Sequence, residues 1–415
     1  MYQKSTLNNG LRVITEELPH FRSVALGVWL NVGSRDETAA ETGLSHFLEH
    51  MAFKATARRS ARDIAREIDQ VGGALNAFTT KETTCFHARV LAENLPRVMD
   101  LLSDLVLHPL CQETDLERER QVILEEIGAQ EDNPEDLVQV QFARHLWGDH
   151  PFGRPILGDP ANVSRLGRAD LMKYHQATYL PAQTVVAATG RLRHQEVVDL
   201  VGRHFGPFEN GASGRPRSAA AIHPGTLVTP RDLEQVHLCL GTRGPAAGDL
   251  KRYPATVLQV ILGGNISSRL FQVVREQLGL AYSIYSFISF FSDTGALGIA
   301  AGVGPKNLDA VLAAVCRELK RLKEEPVPAA ELQAAREYLK GSILLAAEDV
   351  EHRMMRLAKN ELYFGHDIPM EEIIAGLMRV QAEEIQEEAR RLFCPENWGA
   401  ALLGPVASGE YLLEF

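Results

Sequence analysis

Cysteine is scarce in this chain of 415 residues, and its five cysteines are far apart. None forms a C-x-x-C pair, and an odd number cannot pair off completely. We therefore expect free thiols and a reducing compartment. Long apolar runs are also missing: none approaches the ~18 residues of a membrane span, and residues 1–13 lack the apolar segment of a secretory signal. The sequence predicts a cytoplasmic protein with no membrane partner.

Basic residues are outnumbered, with 43 lysines and arginines against 54 aspartates and glutamates, a formal net charge of -11. Because nucleic-acid binding relies on positive charge, this balance argues against nucleic acid as a partner. No low-complexity tract interrupts a composition that is 45% hydrophobic. A chain of this length exceeds one ordinary core, so two or more domains are expected.

One short motif is typical of a metal site. Residues 46–50 read H-x-x-E-H, the reverse of the H-E-x-x-H zinc motif. On a helix His46 and His50 share one face, with Glu49 beside them. Two imidazoles that close can bind one metal ion, and the carboxylate can take a proton from a metal-activated water. A helix with two surface histidines gives the same pattern, so the motif needs a third ligand.

A linker divides the sequence into two halves of similar length. Residues 206–225 hold four glycines, three prolines and no hydrophobic period. We predict a first domain over residues 1–210, a linker over 211–226 and a second domain over 227–415.

The two halves repeat the same order of elements: a strand, a helix, a pair of strands and a further helix. This order predicts a duplicated α+β unit, with two homologous domains that each contain a mainly antiparallel β-sheet flanked by α-helices. Any two α+β domains look alike at this level of detail. The matched segments are residues 23–32 and 236–241, 74–90 and 281–303, and 95–106 and 308–322.

A charged helix over residues 115–131 offers further carboxylates. Glu119 and Glu126 lie seven positions apart, on a helical face that also holds Val122 and Ile123. A partly buried carboxylate needs a partner, and a metal ion or a ligating histidine is a suitable one. From this helix alone a solvated face is the simpler interpretation.

The combination of H-x-x-E-H with a downstream E-x6-E pair resembles the pitrilysin/insulinase family of zinc peptidases. The similarity is greatest to its two-domain branch, with mitochondrial processing peptidase and its bacterial relatives. The resemblance covers nearly the whole chain. The segments that carry it are residues 31–37, 43–56, 72–84, 117–127, 150–158 and 263–286.

The resemblance implies roles for the motif residues. His46, His50 and Glu126 would bind one zinc ion per chain, and Glu49 would be the general base for the zinc-bound water. Glu119 would orient a ligating histidine. The family's seven-residue step from Glu119 favours Glu126 over Glu125 as the ligand.

The resemblance also implies residues that bind substrate. Asn76, Ala77, Phe78 and Thr79 match an edge strand that pairs with an extended peptide backbone. For Thr79, Thr80 and Thr83, ordinary strand propensity is the alternative explanation.

In the second half, Arg275 and Tyr282 match the family's Arg and Tyr, which donate hydrogen bonds to the substrate backbone and to the oxyanion. Without the family they would be a surface arginine and a half-buried tyrosine. The second half has no H-x-x-E-H and would be non-catalytic.

The implied function is a zinc endopeptidase that hydrolyses extended, unfolded peptides or short polypeptides inside a closed chamber. The alternative is a structural subunit of the same fold, like the respiratory-complex core proteins, which typically lack a full ligand set. Because two-domain relatives pair, the resemblance implies a homodimer or a heterodimer with a paralogous chain.

Overall fold

The computed structural model describes residues 2–208, 214–407, 411 and 415. The chain forms two compact units, each built round one β-sheet. Unit 1 consists of Met1–Gly128, Arg154–Ser218 and Leu345–Asp367; unit 2 consists of Ala129–Gly153, Ala219–Leu344 and Ile368–Phe415.

Strands and helices alternate along much of the described chain. The strands are β1 (Tyr2–Thr6), β2 (Arg12–Glu17), β3 (Ser23–Leu30), β4 (Ala74–Thr79), β5 (Thr84–Leu91), β6 (Thr184–Gly190), β7 (Gly225–Pro230), β8 (Val236–Gly244), β9 (Ala281–Phe290), β10 (Gly295–Val303) and β11 (Gly399–Gly404).

The α-helices fill the connections between these strands. They are α1 (Leu44–Ala52), α2 (Ala61–Val71), α3 (Leu95–Leu107), α4 (Glu113–Asp132), α5 (Pro134–Trp147), α6 (Pro160–Arg165), α7 (Arg168–Thr178), α8 (His194–Phe205), α9 (Arg252–Gln259), α10 (Leu308–Glu324), α11 (Ala329–Ala346), α12 (Val350–Phe364), α13 (Met370–Arg379) and α14 (Ala382–Leu392). Two π-helical segments, Val260–Gly264 and Phe271–Gln277, follow α9.

The two sheets have the same connectivity. The order in unit 1 is β1-β2-β6-β3-β5-β4, and in unit 2 it is β7-β11-β8-β10-β9. The pairs β2–β6 and β7–β11 are parallel, and every other neighbouring pair is antiparallel. Apart from β1, each strand of unit 1 has a counterpart in unit 2 at the same place in the chain order. The predicted α+β class with mainly antiparallel sheets is confirmed, and the shared connectivity supports duplication.

Both faces of the sheet in unit 1 are buried. On β6, Val186 and Ala188 join the large core cluster, whereas Val185 and Ala187 join a second cluster with residues of α12. The Trp29 indole N–H donates to Met354 Sδ on α12 at 3.2 Å, and both residues are fully buried. A helix from late in the chain therefore covers the second face of this sheet.

The sheet of unit 2 is covered in the corresponding way. Ala401 and Leu403 of β11 pack in a cluster with Phe142 and Leu146 of α5, while Ala400 and Leu402 of the same strand pack in the main core of unit 2. Each unit thus includes a helix from the other half of the sequence.

This exchange makes the compact units differ from the contiguous ranges 1–210 and 227–415. The hydrophobic pattern of a helix shows that it has an apolar face but not which sheet that face covers. The division into a catalytic and a non-catalytic domain stays a prediction.

Two arginines in the described part of the predicted linker form ion pairs. Arg217 Nε lies 2.9 Å from Asp36 Oδ1, and Arg215 forms an ion pair with Glu41. Residues 211–213 of the linker lie outside the described residues. No helix in the described part of the chain has the length and apolar character that crossing a membrane requires.

Candidate metal centre and peptide-binding residues

Helix α1 presents the H-x-x-E-H motif on one side and packs on the other. Its residues Leu44, Phe47, Leu48 and Met51, at i, i+3, i+4 and i+7, are all buried. The remaining positions place the two motif histidines together, with ring centroids of His46 and His50 4.5 Å apart.

Glu126 of α4 meets both histidines. Its Oε2 lies 3.7 Å from His46 Nε2 and 3.6 Å from His50 Nε2. Among the residues that the structure describes, these three side chains form the one group of His, Cys, Asp or Glu whose ligand atoms can share a metal ion, all within 4.8 Å of one another. Glu125, the alternative, is exposed and does not join the group.

The residues present fit a zinc ion. Two imidazoles and one carboxylate are the ligand set of some catalytic zinc sites, and three protein ligands leave a position open. Burial lowers the pKa of His46 from 6.5 to about 4, and the nearby His50 lowers it as well. The imidazole is therefore neutral at pH 7, which is the form that binds metal. The buried Nδ1 of His46 has no hydrogen-bond partner among the described residues.

Glu119 contacts His50 at Nδ1, the ring nitrogen on the other side from Glu126. Its Oε2 is 3.1 Å from His50 Nδ1, and only 6% of the residue is exposed. A carboxylate there fixes the tautomer and the ring orientation, leaving Nε2 for a ligand. Of the two apolar neighbours predicted on its face, Ile123 is buried but Val122 is 39% exposed, so the stripe is narrower than the sequence indicates.

Lys54 completes this arrangement, and sequence reasoning missed it. Its Nζ lies 2.6 Å from Glu119 Oε1. The pairing neutralises a mostly buried carboxylate that the histidine alone would not satisfy. The available signal was its position four residues after His50, but α1 ends at Ala52, so helical periodicity gave no reason to include it.

Glu49 is held from the adjacent edge strand. Thr79 Oγ1 donates to Glu49 Oε2 at 2.5 Å. Burial raises the pKa of Glu49 above its ordinary 4.5, and the charge of Glu126 raises it further, whereas the Thr79 hydrogen bond and His50 act in the opposite direction. A carboxylate with a raised pKa is a stronger general base near neutral pH.

The predicted substrate strand is β4, at the edge of its sheet. It pairs with β5 alone, in the register Asn76 to His87 and Phe78 to Cys85. The Phe78 ring packs edge-on against Trp29 with centroids 5.4 Å apart. Asn76 is exposed, and Ala77 and Thr79 are partly exposed. One side of this strand is therefore open to another extended segment.

Arg275 and Tyr282 lie together in unit 2. Arg275 is in the π-helical segment Phe271–Gln277, Gly279 with φ +60° ends that turn, and Tyr282 is in the first part of β9. The Arg275 guanidinium carbon is 5.0 Å from the Tyr282 ring centroid. Tyr282 is 79% exposed, so it is not the half-buried tyrosine that ordinary packing would predict.

Sequence comparisons place nearly the whole chain in one family. The profile of the insulinase family (peptidase family M16) matches residues 12–160, and that of the peptidase M16 inactive domain matches residues 165–339. A Mycobacterium tuberculosis protein named an uncharacterized zinc protease is 44% identical over 98% of this chain and 94% of its own length. A Bacillus subtilis protein with the same description is 39% identical over 98% of each chain.

Solved structures show the same fold. A protease from Helicobacter pylori has a TM-score of 0.92 at 22% identity, over 98% of this chain and 99% of its own. A Pseudomonas fluorescens structure described as a peptidase M16 inactive domain has a TM-score of 0.91 at 18% identity, over 99% and 100%. From the family profiles and the close full-length relatives, this chain belongs to the insulinase family, peptidase family M16.

Proposed function

We propose that this family M16 zinc metallopeptidase is an endopeptidase for extended, unfolded peptides, with one zinc ion held by His46, His50 and Glu126. The observation that carries the proposal is the convergence of these three ligand atoms within 4.8 Å. The names of the Mycobacterium and Bacillus relatives support zinc as the metal.

The residues of α1 and β4 supply the proton chemistry. Zinc bound there would act as a Lewis acid, polarising a carbonyl and lowering the pKa of a water molecule. Glu49 takes the proton from the attacking water and delivers it to the leaving amine. Thr79 restricts Glu49 to one orientation through the 2.5 Å hydrogen bond. Glu119 restricts the ring of His50 in the same way, and Lys54 in turn pairs with Glu119.

The substrate is bound through its backbone. The open side of β4 offers main-chain N–H and C=O groups to an extended peptide, which accepts many side chains. Arg275 and Tyr282 donate to the peptide and to the oxyanion of the tetrahedral intermediate. The exposure of Tyr282 supports this role, because a hydroxyl that binds substrate must be accessible.

A matched pair of variants on α4 tests the metal site. Glu126→Gln removes a ligand charge, whereas Glu125→Gln makes the same change at the exposed neighbour. We expect Glu126→Gln to weaken zinc binding by about 100-fold or more, since even groups that only orient ligands contribute about 10- to 100-fold. Zinc affinity is measured by chelator competition, and activity with a quenched-fluorescence peptide.

Glu125→Gln should match the wild type in both measurements. The proposal is wrong if wild-type protein from zinc-replete medium contains no zinc and hydrolyses no peptide. The closed chamber, and the homodimer or heterodimer that it requires, stay predictions.

A further inference from the structure

Helix α1 begins without a side-chain cap of its own. The N-terminal N–H groups of a helix need acceptors, which a Ser, Thr, Asp or Asn at the N-cap usually supplies. Here the N-cap is Gly43, with φ +98°. A Cβ at this position would lie 2.9 Å from Gly158 Cα and 3.0 Å from the Leu157 carbonyl oxygen. Backbone conformation and space therefore both require glycine.

Glu37, six residues upstream, provides the missing acceptor. The Gly43 N–H donates to its Oε2 at 2.9 Å, and the Ser45 N–H donates to its Oε1 at 2.7 Å. The residue is 3% exposed. Burying a carboxylate is costly unless it is hydrogen-bonded, and here both oxygens are engaged with the start of one helix.

The loop that carries Glu37 is itself held in place. The Arg154 guanidinium donates to the Glu37 carbonyl oxygen at 2.7 Å. The Ser34 N–H donates to the Thr80 carbonyl at 3.1 Å, and the Arg35 N–H to the Lys81 carbonyl at 2.7 Å. Thr80 directly follows Thr79, the residue that holds Glu49. The loop therefore joins the end of the substrate strand to the start of the metal-binding helix.

We propose that Glu37 is a positioning residue of the metal centre. Its carboxylate fixes the start of α1 at Ser45, one residue before His46. It thereby sets the rotation of the helix about its axis and its position along that axis, and so the placement of His46, Glu49 and His50. A shift at Ser45 reaches the first ligand directly, and a site built for zinc tolerates little displacement of its ligands. The inference rests on the proposed function, because it assumes that these histidines bind metal.

The test compares two buried carboxylates of unit 1 by the same substitution. Glu37→Gln keeps the shape but leaves one oxygen instead of two as acceptor. Glu361→Gln is the control: Glu361 is 1% exposed and pairs with Lys4 at 2.8 Å and Arg12 at 3.1 Å, with no bond to α1. Each protein is titrated with Co²⁺, whose visible absorption reports ligand geometry, and its zinc affinity is measured by chelator competition.

We expect Glu37→Gln to bind zinc about 10-fold more weakly, the lower end of the effect of removing groups that orient ligands. Its Co²⁺ spectrum should differ from that of the wild type. Its kcat should fall more than its KM rises, because Glu49 moves with the helix. Glu361→Gln should lose thermal stability while keeping the wild-type affinity and spectrum.

Wild-type affinity and an unchanged Co²⁺ spectrum in Glu37→Gln would overturn the inference, whatever the loss of stability. Failure of the wild type itself to bind Co²⁺ or zinc would instead refute the metal site. If Glu37→Gln does not fold, Glu37→Asp tests whether Glu37 positions the metal centre. It keeps the charge but is one methylene too short to reach both N–H groups, so weaker metal binding is again expected.

Discussion

Units 1 and 2 share the connectivity of five strands but differ in the segment that follows the central strand. In unit 1 the connection from β3 to β4 contains α1 and α2, with the metal-binding motif on α1. In unit 2 the connection from β8 to β9 contains α9 and two π-helical segments, and its sequence has no histidine. The same fold therefore places a helix at the same point twice, and the side chains on that helix decide which unit can bind metal.

The two connections also differ in the type of helix that carries their candidate functional residues. An α-helix brings residues four apart onto one face, so His46 and His50 can share a metal ion. The segment Phe271–Gln277 has the wider π-helical turn, in which residues four apart no longer align as they do in an α-helix. Such turns often occur at functional sites, and this one carries Arg275. Under the proposed function, the two units thus offer different chemistry: metal ligands and a base in unit 1, hydrogen-bond donors in unit 2.

The largest effect is expected from Glu49, the proposed base in unit 1. Glu49→Gln should lower kcat by about 10³-fold, because it removes the general base, while zinc content stays at the wild-type level. Zinc is measured by atomic absorption and kcat with a quenched-fluorescence peptide. Glu67→Gln on α2 is the control, since Glu67 pairs with Arg59 at 2.9 Å. Near wild-type turnover of a zinc-loaded Glu49→Gln enzyme would assign the base to another residue.

The sequence alone was enough to predict the candidate site residues that are brought together by local helical geometry. His46, Glu49 and His50 follow from helical periodicity, because their spacing fixes their common face. Glu126 lies far along the chain: the helical face it shares with Glu119 made it a candidate, but only the family resemblance made it the third ligand. Lys54 and Glu37 were missed because they lie in the segments that flank α1, where helical periodicity does not apply, and they contact Glu119 and the start of α1 from there.

The fold shows the same limit. The α+β class and the mainly antiparallel sheets were predicted from the repeated order of elements, and the structure agrees. The exchange of α5 and α12 between the halves could not be predicted from these patterns, because the apolar stripe of a helix does not show which sheet it packs against. A signal was present in Val185–Ala188 of β6: four consecutive apolar residues in a strand need cover on both faces.

The proposed donors in unit 2, Arg275 and Tyr282, give the next largest expected effect. Tyr282→Phe removes one hydroxyl, and Arg275→Ala removes the guanidinium. Each should lower kcat by about 10²-fold, the usual effect of losing one oxyanion donor, with zinc affinity unchanged. Tyr285→Phe on the same strand is the control, because its hydroxyl contacts Gln139 at 3.3 Å. Loss of zinc in either variant would mean that unit 2 supports the metal site rather than the substrate.

Mixing two inactive variants tests whether units 1 and 2 act on a peptide within one chain or from different chains. Glu49→Gln is combined with the double variant Arg275→Ala/Tyr282→Phe under conditions that exchange subunits. If the two units act on one peptide from different chains, some mixed dimers hold one intact site and activity returns. If they act within one chain, every site stays broken. A fully active monomer, seen by sedimentation, would contradict the predicted dimer.

The smallest effect concerns the stability of the metal-free protein. The pKa of His46 is about 4 in the folded chain, against 6.5 for an ordinary histidine. Between these values the unfolded chain binds the extra proton, so the free energy of unfolding falls as the pH falls from 6.5 towards 4. At pH 5 this one group should destabilise the folded state by about 2 kcal/mol relative to pH 7.5.

His46→Gln removes this contribution. Urea unfolding with a chelator present, followed at pH 7.5 and pH 5, should therefore show a larger loss in the wild type than in His46→Gln. His352→Gln, at an exposed histidine of α12, is the control and should behave as the wild type does. Equal losses in the wild type and His46→Gln would show that the His46 imidazole becomes protonated in the folded state at pH 5. The proposed metal site would then lack the neutral imidazole of His46 at that pH.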